Sequence, residues 1–206
     1  MSAVVDWRLL AEAFITLFVI MDPPGTVPIF LGLTSAMTRT QRRRAARQAI
    51  LVAFGVIVSF ALFGQQLLAY MHISLPALQA SGGLLLLLVA MELLTGKSEE
   101  PQPSGNQGVN VALVPLGTPL LAGPGAIVAT MVFVQAAREP ADWVAIGLAV
   151  VAVHLCLWLS MRFAGVIHRV LKDSGVTLVT RIAGLLLAAI AVQLVADAVR
   201  AFIEAG

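Results

Sequence analysis

Residues 22–27 read Asp-Pro-Pro-Gly-Thr-Val and residues 122–127 read Ala-Gly-Pro-Gly-Ala-Ile, so a Pro-Gly pair recurs after one hundred positions. Each pair lies inside a long apolar stretch. Proline removes a backbone N–H and clashes with the preceding turn, so it disfavours the interior of a helix. The sequence therefore predicts a helix break at matching positions in the two halves of the chain.

The correspondence between the halves continues further along the chain. Residues 81–86 (Ser-Gly-Gly-Leu-Leu-Leu) match residues 182–187 (Ile-Ala-Gly-Leu-Leu-Leu), and in the same register Glu92 aligns with Gln193. Paired interruptions at corresponding positions of two repeats are typical of the binding site of secondary transporters. Transport is therefore the leading functional hypothesis.

The composition indicates a membrane environment. Apolar residues make up 59% of the 206 residues, charged residues make up 12%, and the mean hydropathy is +0.94. A transmembrane helix needs roughly 20 apolar residues, and its backbone must be hydrogen-bonded within the segment. The sequence predicts an all-α membrane protein with six transmembrane helices, in residues 8–35, 46–70, 76–95, 110–136, 142–162 and 178–202.

The basic residues predict the orientation in the membrane. Ten of the thirteen Lys and Arg residues lie in or beside the segments that follow spans one, three and five: Arg39, Arg42, Arg43, Arg44, Arg47, Lys97, Arg162, Arg169, Lys172 and Arg181. Cytoplasmic loops are enriched in Lys and Arg, so these segments are predicted to be cytoplasmic and both termini extracytoplasmic. Three spans per half then give the halves opposite orientations. The predicted fold is two inverted three-helix repeats, with a broken first helix in each.

The cluster between Arg39 and Arg47 lies between two spans and has no interleaved aromatic residues. We interpret it as a topology determinant rather than a nucleic-acid or anionic-lipid patch, and we expect no nucleic-acid partner.

The chain divides into three predicted parts: a first membrane repeat (residues 1–95), a polar cytoplasmic linker (96–109) and a second membrane repeat (110–206). Residues 96–108 read GKSEEPQPSGNQG, a polar composition that suits a flexible connection. A cleaved signal peptide is not expected. Arg8 is the only basic residue before the first apolar stretch, and Asp22-Pro23 follows where small residues would mark a cleavage site.

No constellation typical of a membrane enzyme is found in the sequence. Cys156 is the only cysteine, so a disulfide framework or a cysteine-based metal site is excluded. The motifs HExxH, GxSxG and GxGD are missing. We expect that the protein is not an enzyme and needs neither a cofactor nor a metal.

The first break, Pro23-Pro24-Gly25, interrupts a stretch longer than one membrane crossing. The sequence predicts a helix to about Met21, a turn, and a second helical segment with Asp22 as its N-cap. Gly25 is expected to permit backbone angles that other residues avoid. Non-helical backbone at membrane depth is tolerated where it is buried in protein or lines a cavity.

The second break repeats this design with Pro115, Pro119 and the run Gly123-Pro124-Gly125. Free amides at the N-terminus of a half-helix carry partial positive charge and attract a carboxylate. The alternative interpretation is a pair of proline kinks that serve packing alone. The shared offset favours a site, as do hydroxyls near the breaks at Thr26, Thr118 and Thr130.

The residues around the breaks resemble the MarC family of integral membrane proteins, which is also grouped with neutral amino acid transporters. The resemblance rests on residues 22–30 (DPPGTVPIF), on residues 115–125 (PLGTPLLAGPG) and on Gly82-Gly83-Leu84, and it extends over nearly the whole chain. It implies a multi-pass protein of the inner membrane. It also implies transport of small neutral amino acids such as glycine or alanine. Many members have Asn-Pro where this chain has Asp22-Pro23.

Three ionisable residues inside the spans are candidates for function, because charge within the membrane is costly. Asp22 is a candidate for substrate binding and proton coupling, and an N-cap role is compatible with both. Glu92 and His154 are weaker candidates for proton coupling. Glu92 lies close to a span end, so a carboxylate that reaches the membrane interface is the favoured interpretation, although its match with Gln193 favours a polar inward face. His154 could relay protons, and an interhelical hydrogen bond is the favoured interpretation.

We therefore predict a secondary transporter that moves small neutral amino acids or similar zwitterions by alternating access. Its substrate site is predicted at Asp22, Pro24, Gly25, Thr26, Thr118, Gly123, Pro124 and Gly125. Expected partners are the lipid bilayer, the amino acid, a coupling proton or sodium ion, and a second copy of the chain. A non-transporting membrane assembly or regulatory protein is the alternative.

Overall fold

The computed structural model describes residues 5–35, 37–96 and 122–205, and all regular structure in these ranges is α-helical. The seven helices are α1 (Trp7–Met21), α2 (Thr26–Leu33), α3 (Arg39–Tyr70), α4 (Leu75–Thr95), α5 (Pro124–Ala136), α6 (Pro140–Arg162) and α7 (Ala164–Ala205). Lys172 has non-helical angles (φ 54°, ψ 179°) and divides α7 into a short first part and a long apolar part.

Within the described residues, four helices are long and apolar enough to cross a membrane: α3, α4, α6 and the Ser174–Glu204 part of α7. The helices α1 and α2 together form a fifth candidate span, which bends by 44° at the first break. These five correspond to predicted spans one, two, three, five and six. Of predicted span four, α5 supplies 13 residues. Residues 97–121, with Thr118 and nearly all of the linker, lie outside the described residues.

Local sequence signals explain where the helices begin and end. The Thr38 hydroxyl and the Gln41 side chain form a capping box at the start of α3. Ser74 caps α4, with a proline in the first turn, and Gly96 ends that helix in the left-handed region at φ 69°. Because of these caps, the connections that precede α3 and α4 are short.

The main core lies between the first broken helix and helices α3, α5 and α6, and it contains Leu17, Phe30, Ile57 and Leu157, each at most 1% exposed. The outer faces of the helices are apolar as well. Leu88 of α4 and Leu185 of α7 are each 62% exposed. A soluble protein does not present such long apolar helix faces to water, so these faces suit contact with lipid.

Helices α4 and α7 pack closely and run antiparallel. A Cβ atom at Gly83 of α4 would lie 2.8 Å from the carbonyl oxygen of Ala191 and 3.3 Å from the Cβ of Leu194. A Cβ atom at Gly184 of α7 would lie 3.3 Å from the carbonyl oxygen of Ala90 and 3.1 Å from the Cβ of Leu93. Both glycines therefore allow close backbone approach, as small residues do at membrane helix contacts.

Candidate binding site at the two helix breaks

The first break turns at Asp22. Helix α1 ends at Met21, as predicted, and Asp22 is its C-cap with left-handed angles (φ 39°, ψ 67°). The prediction that Asp22 is the N-cap of the next helix is wrong, because Gly25 holds that position. The carboxylate still serves the second helix, since its Oδ1 accepts a hydrogen bond of 3.2 Å from the Gly25 N–H. Aspartate is among the residues that tolerate left-handed angles.

Gly25 provides space rather than unusual backbone angles. Its φ of −69° and ψ of −24° are open to any residue, so the prediction of a glycine-specific conformation is wrong. A Cβ atom at this position would clash with the Oδ2 atom of Asp22 and lie 3.2 Å from the hydroxyl oxygen of Thr180. The absence of a side chain therefore makes room for the Asp22 carboxylate.

The amides of the first break are occupied within the break itself. The Thr26 N–H donates to the Asp22 carbonyl at 3.0 Å, and the Val27 N–H donates to the Pro24 carbonyl at 3.2 Å. The Thr26 hydroxyl is also used, because it donates to the Pro23 carbonyl at 2.8 Å. The polar group left over at this break is the other carboxylate oxygen. Asp22 is 7% exposed, and its Oδ2 has no hydrogen-bond partner among the described residues.

A buried carboxylate oxygen is costly when it has no partner, so the absence of one for Oδ2 within the described ranges requires an explanation. The contact geometry at Gly25 places the Thr180 hydroxyl on the same side as this oxygen. Thr180 belongs to α7, which also packs against α2. The polar surroundings of the first break thus combine a carboxylate from the first half of the chain with a hydroxyl from the second half.

The second break is built differently. Helix α5 begins at Pro124 with Gly123 as its N-cap, and no side chain caps it. The Gly123 carbonyl accepts from the N–H groups of Ala126 and Ile127. Within the described residues, the N–H groups of Gly123 and Gly125 have no acceptor. Unused amides at a helix N-terminus are the predicted anion-binding feature.

Gly125 also provides space, but an apolar side chain fills it. A Cβ atom there would clash with the Cδ2 atom of Leu86 and lie 3.5 Å from the Cγ2 atom of Ile20. Ile20 is in the last turn of α1, two residues before Asp22. The structure therefore brings the two breaks together, and buried residues beside both of them, Met21 and Ala126, belong to the main core.

The other two candidates for proton coupling differ in burial. His154 of α6 is 4% exposed. Its Nδ1 lies 2.7 Å from the Val150 carbonyl, and its ring contacts Phe54 edge to face at 5.2 Å between centroids. Its Nε2 is buried and has no partner among the described residues. Glu92 is exposed on α4, which agrees with a carboxylate that reaches the interface and not with a polar inward face.

Sequence reasoning missed three residues of this region: Thr180, Leu86 and Ile20. Each contacts a break from another helix, and nothing in the local sequence distinguishes Thr180 from the neighbouring Thr177. The repeat gives a partial signal for Leu86, because it lies three residues after the glycine that pairs α4 with α7.

This arrangement of apolar helices, with lipid-compatible faces and a broken helix in the core, defines a multi-pass integral membrane protein. The chain belongs to the MarC family: the family of MarC integral membrane proteins matches residues 7–203.

Proteins of two distant organisms illustrate the relationship. The chain is 34% identical over 200 residues to a UPF0056 membrane protein of Methanocaldococcus jannaschii. The aligned region makes up 95% of this chain and 98% of that protein. It is 31% identical over 202 residues to the UPF0056 membrane protein YhcE of Escherichia coli. That alignment covers 95% of this chain and 94% of YhcE. No solved structure matches the chain significantly.

Proposed function

We propose that this protein is a secondary transporter of the inner membrane that moves small neutral amino acids or similar zwitterions by alternating access. The proposed architecture is six spans in two inverted three-helix repeats, with the substrate between the two breaks. The observation that carries the proposal is the buried Oδ2 of Asp22, which has no hydrogen-bond partner among the described residues and lies at a helix break that packs beside a second break.

The two breaks offer complementary chemistry to a zwitterion. The first presents the Asp22 oxygen, with the Thr180 hydroxyl beside it, to an ammonium group. The second presents to a carboxylate the N–H groups of Gly123 and Gly125, which lie at the positive end of α5 and have no acceptor in the part of the chain that the structure describes. A substrate with a small side chain is proposed, because Ile20 and Leu86 already fill the region around Gly125.

The contacts between α4 and α7 support the inverted repeat. The neighbours of Gly83 include Ala191 and Leu194, and the neighbours of Gly184 include Ala90 and Leu93. Gly184, Ala191 and Leu194 each follow their counterparts in the first half by 101 positions. This reciprocity is the signature of an isologous, two-fold contact. Because the two helices are antiparallel, the two-fold axis is perpendicular to them and would lie in the membrane plane.

Other helix pairs also form matched sets: a contact between a helix of the first half and a helix of the second has an equivalent contact in which the two halves are exchanged. Helix α2 packs on α6, and its counterpart in the second half, α5, packs on α3. Helix α4 packs on α5, and α2 packs on α7. Two repeats of opposite orientation that make equivalent contacts would supply two conformations related by exchange of the halves, as alternating access requires.

His154 is the proposed proton-coupling residue besides Asp22. Its Nε2 is buried, has no partner in residues 5–35, 37–96 and 122–205, and belongs to a helix that packs on α1 and α3. A proton bound there would carry charge into the core, and its movement is then linked to the transport cycle. Sodium is the alternative coupling ion.

Flux measurements in proteoliposomes test the proposal. The purified protein is reconstituted and loaded with a panel of labelled amino acids, and we expect substrate-dependent exchange of small neutral ones. Asp22→Asn should reduce it strongly. The matched control is Asp197→Asn, because that carboxylate already accepts a hydrogen bond of 2.8 Å from Gln193 on α7. Absence of flux for every substrate, with correctly folded protein, would favour an assembly or regulatory protein.

The proposed orientation is tested separately by fusions at Gly206. If both termini are extracytoplasmic, an alkaline phosphatase fusion is active and a fluorescent-protein fusion is dark. The same pair placed at 97–108 should give the opposite result. A fluorescent, phosphatase-inactive fusion at Gly206 would contradict the orientation derived from the basic residues.

A further inference from the structure

A cavity of about 850 Å³ lies where the start of α3, the end of α6 and the start of α7 meet. Its lining contains five arginines between Arg39 and Arg47, together with Arg162 and Arg169. Among the described residues, the lining includes no acidic side chain and no residue of the two breaks. We call it the arginine pocket.

The charge of the arginine pocket is not balanced by the helix that carries most of it. Helix α3 begins at Arg39, and its first turn contains no acidic residue. The N-terminus of a helix is the positive end of its dipole, so five arginines in this region repel both the dipole and one another. A bound anion would relieve this repulsion.

One arginine is already oriented by the fold. The Nη2 of Arg42 donates to the Thr34 carbonyl at the end of α2, at 3.0 Å. Its Nε is buried and has no partner among the described residues. The guanidinium group is thus held in place with a donor unused, an arrangement suited to a second acceptor such as a phosphate oxygen.

A role in setting membrane topology explains why there are many arginines here, but it does not explain why they line one cavity. Positive charge in a cytoplasmic loop acts through its position in sequence. Arg162 and Arg169 come from the other half of the chain, yet they line the same cavity as the Arg39–Arg47 cluster. The sequence interpretation therefore omits a property that the fold creates.

The wall of the arginine pocket is apolar on one side. Trp158, Phe163 and Val166 line it and are 37%, 48% and 56% exposed. Tryptophan is enriched at the level of lipid head groups. Because these side chains continue the lipid-facing surface of α6 and α7, a ligand with both an anionic group and an apolar chain satisfies the whole site.

From the convergent arginines and this apolar wall, we propose that the arginine pocket binds an anionic phospholipid of the cytoplasmic leaflet. Its phosphate is held by guanidinium groups of both halves, and its acyl chains lie along Trp158, Phe163 and Val166. Arginine matches phosphate oxygens with paired N–H donors, and basic pockets between membrane helices are suited to lipid head groups. The volume also falls within the usual range of roughly 300–1,000 Å³ for ligand sites.

Lipid retention by the purified full-length protein tests this proposal. Delipidated protein is titrated with cardiolipin, phosphatidylglycerol and phosphatidylcholine in detergent, and bound lipid is counted by native mass spectrometry. We expect the two anionic lipids to bind at least about tenfold more tightly than phosphatidylcholine, because each charge-assisted contact contributes on that scale. Equal binding of all three lipids would overturn the proposal without requiring any variant.

Variants of the second-half arginines locate the site. The double variant Arg162→Gln/Arg169→Gln should lose about tenfold or more in affinity for anionic lipid, and Arg162→Lys/Arg169→Lys should recover part of it. The matched control is Arg200→Gln, an exposed arginine of α7 outside the lining. Equal losses in the control would show nonspecific charge attraction. Displacement of the lipid by millimolar inorganic phosphate or pyrophosphate would assign the pocket to a soluble anion instead.

Discussion

The two Pro-Gly breaks share a motif but use their glycines differently. At the first break the space beside Gly25 is taken by the carboxylate of Asp22, a residue of the same turn. At the second break the space beside Gly125 is taken by Leu86, from another helix. The first break consumes its amides within the turn, whereas the second leaves those of Gly123 and Gly125 unused among the described residues.

This difference separates a polar half-site from an amide-rich one. A repeat that retained identical residues in both halves would offer the same chemistry twice, which suits two like charges. Here one break has a carboxylate and the other has none, so the pair suits a ligand with opposite charges at its ends. In the proposed transporter, the difference between the breaks, within equivalent helix contacts, adapts the repeat to a zwitterion.

The largest expected effect is at Gly25. Gly25→Ala places a methyl group where the Asp22 carboxylate lies, so the carboxylate must leave its position and transport should fall to the level of empty liposomes. Gly32→Ala is the control, because it lies in the same helix with nothing within 4 Å of its Cβ position. Normal flux in Gly25→Ala would mean that the position of the carboxylate is irrelevant to transport.

A smaller effect, and one that can be rescued, is expected at Gly125. Gly125→Ala clashes with Leu86 and should destabilise the protein by about 1–3 kcal/mol, the usual cost of overpacking. Leu86→Val removes one methylene group from the same contact, so adding it to Gly125→Ala should restore thermal stability in detergent. Gly147→Ala, in open space on α6, is the control. A failure of the second substitution to restore stability would show that Leu86 does not set the requirement for glycine.

The smallest effect is expected at Thr180. Thr180→Val keeps the shape of the side chain and removes its hydroxyl. A neutral hydrogen bond contributes about 0.5–1.5 kcal/mol, so substrate affinity should fall roughly twofold to tenfold. Thr177→Val, one turn away on α7, serves as the comparison. If both variants bind substrate like the original protein, the Asp22 half-site does not extend to α7.

The sequence predicts those parts of the fold that depend on local chemistry. Apolar length locates five of the spans, and the prolines place the end of α1 at Met21, as observed. The role of Asp22 as a C-cap was not predictable, because the left-handed turn depends on how α2 packs against α6 and α7. Predicted span four lies largely outside the described residues, and Thr118 lies outside them altogether.

Contacts between distant helices account for what the sequence does not reveal. Thr180 approaches the first break, and Arg162 and Arg169 join the Arg39–Arg47 cluster, only because the two halves pack against each other. For Glu92, the alignment of the two halves was misleading. Its alignment with Gln193 suggested an inward polar face, yet both side chains are exposed, and Gln193 pairs with Asp197 on the same helix.

The central claim is that Asp22 receives the ammonium group of a zwitterion. The most direct measurement compares the affinities of alanine and propionate for the original protein and for Asp22→Asn. Asparagine keeps the acceptor for the Gly25 N–H and tolerates left-handed angles, so the break should remain folded. We predict that alanine loses about 1.5–3 kcal/mol, roughly a tenfold to hundredfold change in affinity, while propionate changes little. Unchanged binding of alanine, with unchanged pH dependence, would show that Asp22 only caps a helix and would contradict the claim.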